Sequence, residues 1–425
     1  MNKRSRFVTT GQAVGLCLAL LFAMPLLGQT TKRSSADTDP DVDVRTLTGD
    51  GFTGRPLKPT YIESWEASAT GDDIYSRASP LSVAIPPELK DFWKKTTTSS
   101  RGFRWIVNAA EFGLDPKDWQ SDPSRIIYQG GKYHMWMIDE RVRPLETGTL
   151  DIRKPRVKGK GMSRILYLTS VDTHRWTAVD YLPLGPKGSC YDESPDQANV
   201  IYHEGRFYLF SNGYTSNIGK YGQRNAGIFC LVADAPEGPW KQPDGVDLLL
   251  KPEIGSDSFD NSYITNPRHI FLNGKWFMYY KGGRKGFGPL DTENGVAIAD
   301  SLLGPYRKYE GNPVMKGHGH FCWRYKHGMI YISFQTQQLA WSEDGIHFAP
   351  IVCPKKDLFI FGSLYVPYDP LFGDPVTNQP VTSFWGFESE LMRQKNPRDW
   401  DMVRMEWGFG PAAGEPAQGT TAPKK

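Results

Sequence analysis

The chain has 425 residues, of which 39% are hydrophobic, 23% charged and 13% aromatic. That is enough apolar material for one large or two ordinary domains, and it excludes disorder along the whole length. Lys plus Arg number 50 against 47 Asp plus Glu, so no net field draws the protein toward nucleic acid or an anionic membrane, and any charged partner must be met locally.

The N-terminus reads first. Lys3, Arg4 and Arg6 precede an apolar run from Ala13 to Leu27, which is broken by Pro25 and followed by Gly28. A basic start and an apolar run of about 15 residues predict a signal peptide over 1–28; a membrane span needs about 20. The mature protein is expected to be exported, periplasmic or extracellular, with no membrane association after signal removal. Cys17 lacks a small residue immediately before it, which argues against a lipid anchor. Cys190, Cys230, Cys322 and Cys353 contain no CxxC pair, so a structural zinc site is not expected. One disulfide and isolated buried thiols both remain open.

Residues 29–100 are expected to form a flexible leader and a short N-terminal helical extension. The leader is rich in Ser, Asp, Thr and Gly, and Pro86–Lys95 is the best helical stretch. At the other end, 411–425 holds Ala, Gly, Pro, Thr and Lys with little to bury, and reads as a disordered tail.

Between these ends, over 101–410, the chain repeats itself. Asp122-Pro123-Ser124-Arg125 leads to Gly131 and an aromatic run from Tyr133 to Trp136; Asn199–Ile201 leads to Gly205 and Phe207–Phe210. Asn266-Pro267-Arg268 leads to Gly274 and Trp276–Tyr280; His320–Trp323 leads to Gly328 and Met329–Ile332. A fifth, blurred unit lies around Tyr368-Asp369-Pro370 and Val381–Phe387. Each unit is a strand, a tight turn and an aromatic strand, and further strands follow, such as Ile165–Ser170 and Val296–Ala299. About four strands recurring every 50 to 75 residues predict an all-β fold, a five-bladed β-propeller. Residues just before each hairpin's first strand then open into a central cavity, where chemistry is to be sought.

The blade-one Asp-Pro-Ser, the run GKWFMYYKGG from Gly274, the run from Gly304 to Gly328 and LAWSEDGIHF from Leu339 together resemble glycoside hydrolase family 117, the exo-acting α-1,3-neoagarooligosaccharide hydrolases. More distantly the chain resembles the five-bladed family 43 arabinosidases and xylosidases. The likeness spans about Trp119 to Trp407. It implies an exo-acting, inverting glycosidase on algal or plant oligosaccharides, in which one group activates water and another protonates the leaving oxygen. It also implies a homodimer paired through an N-terminal helical segment.

Asp122 falls on the family's general base. On its own terms it is the best candidate too, because an acid before Pro at the mouth of an inner strand is no ordinary ladder residue; the alternative is a carboxylate capping the turn before Pro123. His318 falls on the histidine used as acid, in a signature that reads Gly317-His318-Gly319-His320 here. Glycines on both sides let the backbone approach a ligand, and a pKa of about 6.5 suits proton donation. Two solvent-facing loop histidines, or a two-histidine metal contact, are the alternatives. No cofactor is expected, although a structural or cavity-bound divalent cation stays open.

Two family acids are absent: Gly319 stands where a glutamate follows the histidine, and Asn266 where an aspartate precedes the blade-three proline. Replacements are at hand in Asp257 and Asp260, and in Asp192, Glu193 and Asp196 of the run from Cys190 to Asn199. Each alone reads as a turn or rim carboxylate; together they could hold a sugar hydroxyl. Glu193, Asp260, Asn266, His320 and Trp323 are taken as substrate-binding positions, and so are Arg125 and Arg268, which would clamp a sugar carboxylate or sulfate at the mouth. Arg324, after Trp323 in the fourth unit, is a candidate for the same role. Six basic residues between Arg153 and Arg164 suggest a loop in contact with polyanions. Trp136, Trp276, Trp323 and Trp341 read mainly as core, with one or two near the mouth to stack on sugar faces. Losing two acids leaves a catalytically lapsed carbohydrate-binding propeller as the competing reading.

Overall fold

The computed structural model describes residues 86, 89, 92–96, 106–114, 120–139, 163–286, 292–317, 319–333, 338–351, 363–366, 371, 383–390 and 401–409. The strands form five antiparallel sheets. Blade 1 comprises Gln120–Ser121, Ile127–Gln129, Lys132–Asp139, Arg164–Ser170 and Thr177–Tyr181. Blade 2 comprises Ser194–His203, Arg206–Tyr214 and Asn225–Ala233. Blade 3 comprises Tyr263–Leu272, Lys275–Gly283 and Thr292–Ala299, edged by Arg307–Lys308 and Met315–Lys316. Blade 4 comprises His320–Tyr325, Gly328–Ser333, Gln338–Ser342 and Ala349–Ile351. Blade 5 comprises Ser363–Tyr365, Ser383–Glu390 and Asp401–Phe409, with Phe92–Thr96 as its outer strand.

Local chemistry makes the hairpins. At Gly130-Gly131, Glu204-Gly205 and Asn273-Gly274 both turn residues have positive φ, the two-residue type I′ geometry whose twist matches the flanking strands. The blades then pack face to face. One apolar cluster joins blades 1 and 2 through Trp136, Tyr167, Val200 and Phe229. A second joins blades 2 and 3 through Phe210, Ile228, Ile264 and Met278, and a third joins blades 3 and 4 through Ile270, Tyr279, Cys322 and Tyr331. On blade 1's other side Tyr133 meets Tyr365 of blade 5 edge-on, at 5.3 Å. The sheets therefore succeed one another around a ring, which is the five-bladed propeller expected.

The expected helix over Pro86–Lys95 needs correction. Leu89 lies in a single turn, its N–H donating to the Pro86 carbonyl at 3.0 Å, but Phe92–Thr96 is a strand paired with Met405–Phe409. Without it the Asp401–Phe409 strand would leave its N–H and C=O groups unpaired along a sheet edge, and this distant pairing outweighs a modest local helix preference. The fifth inner strand also begins earlier than the repeat suggested, at Ser363. The expected signal over 1–28, most of the 29–100 leader, the basic stretch before Ser163 and the 411–425 tail lie outside the described residues. Cys190, Cys230 and Cys322 are buried free thiols, whereas Cys353 lies outside the described residues.

A chain beginning at residue 97 tests this pairing. Five paired residues are lost; at about 0.5–1.5 kcal/mol net per hydrogen bond, unfolding in urea should reveal a deficit of several kcal/mol. An unchanged midpoint would show that the N-terminal strand does not stabilise blade 5.

Candidate active site

The inner strands of blades 2 and 3 carry the same irregularity. In blade 2 the register is Asp196 opposite Asn212, then Asn199 opposite Phe210; in blade 3 it is Thr265 opposite Lys281, then Arg268 opposite Tyr279. Each has one residue too many, a β-bulge that re-aims side chains. At each bulge a non-glycine residue has positive φ: 53° for Gln197 and 53° for Asn266. Blade 1 breaks its ladder at the corresponding step, between Ser121 and Ile127, and Asp122 has φ 47°. In blade 4 the step falls on Gly319, at 80°. Such a conformation costs of order 1 kcal/mol for a residue with a Cβ, and three of these residues fall at corresponding steps of three inner strands.

Asp122 is 8% exposed. Gln197 Nε2 donates to its Oδ2 at 3.3 Å across the blade 1–blade 2 boundary, and the positive charge of Arg268 acts on it. Asp196, next to Gln197 and partly accessible, is the second carboxyl. Ser163 Oγ donates to its Oδ1 at 3.2 Å, while its backbone is locked to Ser211, whose Oγ accepts from the Asp196 N–H at 3.0 Å and donates to its carbonyl at 2.6 Å. Desolvation first and the neighbouring Asp122 charge second push the Asp196 carboxyl up to about 6, against the pull of Ser163 and Lys281. Two carboxyls from adjacent blades thus lie within electrostatic reach of one another, with the Arg268 guanidinium acting on Asp122 and the Asp122 charge acting on Asp196, and unlike neighbours of this kind are what separates a base from an acid.

Two buried amide oxygens complete the level: Gln197 Oε1 and Asn266 Oδ1 have no hydrogen-bond partner among the described residues. Their residues are 9% and 3% exposed. A buried acceptor left unmet costs about 1–3 kcal/mol, and a sugar hydroxyl is the kind of donor that would relieve it.

Other predicted positions lie elsewhere. Arg125 and Arg268 are not mouth clamps but buried cations in the middle of the ring. Arg125 Nη2 donates to the carbonyls of His269 at 3.3 Å and Cys322 at 3.0 Å, on blades 3 and 4. Arg268 Nη1 donates to those of Ala198 at 3.4 Å and Pro267 at 3.1 Å. Both guanidinium carbons lie over the Phe321 ring, at 5.4 and 5.7 Å, and burial lowers the Arg268 pKa to about 10. Trp323 is fully buried, as are Trp136 and Trp341, and Trp276 nearly so, so none of these rings offers a face to a sugar. Arg324 ties blade 4 to the Phe271 carbonyl of blade 3 at 3.0 Å.

Among the acids, Asp260 is fully buried and held by Lys308 Nζ at 2.7 Å, Tyr280 Oη at 3.1 Å and Ser258 Oγ at 2.5 Å. Glu193 pairs with Arg224, and Asp192 caps a turn through the Gly188 and Ser216 N–H groups. Their partners explain why these three are not brought to the Asp122–Asp196 group. His320 is buried, stacked on Tyr331 at 5.4 Å, with Nδ1 3.0 Å from Asn294 Oδ1. Burial and then Arg268 hold it well below the ordinary histidine range, so it is neutral. His318 lies outside the described residues. Gln197 and Lys281 carry no chemical motif in the sequence; the signal for Gln197 is its alignment with Asp122 and Asn266 in the repeat.

Two stability measurements follow. Arg125→Ala leaves two inner-strand carbonyls without their donor and opens a hole, so urea unfolding should show a loss of about 3 kcal/mol or more; a loss below about 1 kcal/mol would place Arg125 at the surface. The folded protein holds the Asp196 proton more tightly than the unfolded chain, whose value is 3.8. Its stabilising share is therefore complete below that value and is lost as pH rises through about 6, a decline of roughly 1–3 kcal/mol that Asp196→Asn should abolish.

No protein-family model and no curated protein matches the chain. Among solved structures, a family 117 glycoside hydrolase from the marine bacterium Zobellia galactanivorans is similar, at 23% identity over 76% of this chain and 91% of that one, with a TM-score of 0.54. An α-L-arabinofuranosidase from Clostridium thermocellum matches at 14% identity over 70% of this chain and 93% of its own, TM-score 0.42. A family 43 enzyme from Xanthomonas citri, in complex with xylose, matches at 12% identity over 70% and 88%, TM-score 0.40. The chain has the propeller fold of the family 117 glycoside hydrolase from Zobellia.

Proposed function

We propose that the protein is an exported glycoside hydrolase, exo-acting and inverting, on algal or plant oligosaccharides. The observation that carries this reading is Asp122: a nearly buried carboxylate turned into the ring by a left-handed backbone step, beside a second carboxyl of different environment. The similarity to the Zobellia enzyme supports it. In an inverting reaction Asp122 takes a proton from water as the water oxygen bonds to the anomeric carbon, and an acid gives a proton to the departing glycosidic oxygen. The Arg268 charge near Asp122 favours the ionised form a base requires. Gln197 and Asn266 offer acceptors to sugar hydroxyls.

A competing reading, a carbohydrate-binding propeller without turnover, is favoured by Asn266 and Gly319, which stand where the family resemblance puts acids. One experiment separates them. Incubating the protein with neoagaro-, arabino- and xylo-oligosaccharides should release reducing sugar, and Asp122→Asn should lower the rate by about 10³-fold or more. Asparagine tolerates positive φ, so that variant should keep the wild-type thermal midpoint. Binding with no release from any oligosaccharide would favour the non-enzymatic reading.

A further inference from the structure

We propose that Asp196 is the proton donor of this site, delivering its carboxyl proton to the leaving glycosidic oxygen. The inference rests on the hydrolase reading above and assigns to blade 2 a role that the resemblance gives to His318.

Position comes first. Asp196 immediately precedes the blade-two bulge, and its neighbour Gln197 reaches Asp122 on blade 1. The two carboxyls therefore come from adjacent blades and lie close enough for the Asp122 charge to act on Asp196. Gln197 Oε1, on the residue that bridges the two, and Asn266 Oδ1, at the corresponding step of blade 3, are buried acceptors without a partner among the described residues and are available to sugar hydroxyls. Asp196 is also held still: Ser163 fixes one carboxyl oxygen, and Ser211 fixes its backbone from both sides. Asp192 and Glu193, its companions in sequence, are engaged in a turn and an ion pair instead.

The charges facing Asp196 suit the task. Asp122 on blade 1 favours its protonated form; Lys281 on blade 3, with Ser163 and Asn212 as polar neighbours, favours the ionised form left after the proton has gone. The carboxyl is consequently loaded in mildly acidic solution and still able to release its proton. In the reaction the O–H bond of Asp196 breaks as its proton joins the leaving oxygen and the C–O bond cleaves. The water oxygen bonds to the anomeric carbon and its proton goes to Asp122. Asp122 then loses that proton to solvent while Asp196 regains one, so the sum is glycoside plus water giving a reducing sugar and an alcohol.

The test compares two glycosides of whichever sugar the wild-type protein releases: the methyl glycoside, whose leaving group needs a proton, and the 2,4-dinitrophenyl glycoside, whose leaving group does not. For Asp196→Asn the rate on the methyl glycoside should fall by about 10³-fold and that on the dinitrophenyl glycoside by less than about 10-fold. The alkaline fall of kcat/KM with a midpoint of about 6 should vanish, and Asp196→Glu should recover part of the methyl-glycoside rate. Equal losses on both substrates, no loss on either, or an alkaline limb that disappears in His318→Ala but persists in Asp196→Asn would overturn the assignment while leaving the hydrolase reading intact. A wild-type protein that releases sugar from no glycoside would overturn both.

Discussion

A left-handed backbone step, repeated at one level of four inner strands, is the constraint on which the site depends. Asp122, Gln197 and Asn266 bear it with side chains attached, and Gly319 bears it without one. Three strained residues in an otherwise regular array require support, and the surrounding blades give it: the apolar seams between blades 1, 2, 3 and 4 are closed by buried aromatic and aliphatic side chains. The strain turns polar side chains away from the ladders and toward the centre. A propeller whose inner strands ran without the bulges would keep those groups in register with their neighbours.

Electrostatics then divides the centre into two zones. Around Phe321, Arg125 and Arg268 reach backbone carbonyls of other blades and tie the inner strands together from within. Their charge is felt outside that zone: Arg268 acts on Asp122, and both His269 and His320 are kept neutral by burial with arginine charge nearby. At the mouth, the carboxyls of Asp122 and Asp196 repel one another. The buried cations thus serve stability and at the same time bias one carboxyl toward ionisation, while desolvation and the Asp122 charge raise the pKa of the other.

The repeat made the propeller legible, because its signals are local. Paired turn residues such as Asn273-Gly274 and the aromatic run after each are written in consecutive positions. Asp122 could be found because Pro123 follows it at a strand start. What stayed hidden depends on contacts between distant segments. Nothing near Phe92–Thr96 announces a partner at Met405–Phe409. Arg125 looks like a surface arginine until its reach to His269 and Cys322 is seen. Asp192, Glu193 and Asp196 are alike in sequence, yet Ser216 claims the first and Arg224 the second, which leaves the third at the mouth.

Two neighbouring carboxyls, one raising the pKa of the other, are the centre of the site. Carbon-13 NMR of labelled aspartate carboxyls, followed across pH in the wild-type protein and in Asp122→Asn, reads this directly. An Asp196 resonance with a midpoint of about 6 that moves down once the Asp122 charge is removed is the predicted result. A midpoint at the ordinary aspartate value of about 3.9 in both proteins would contradict it.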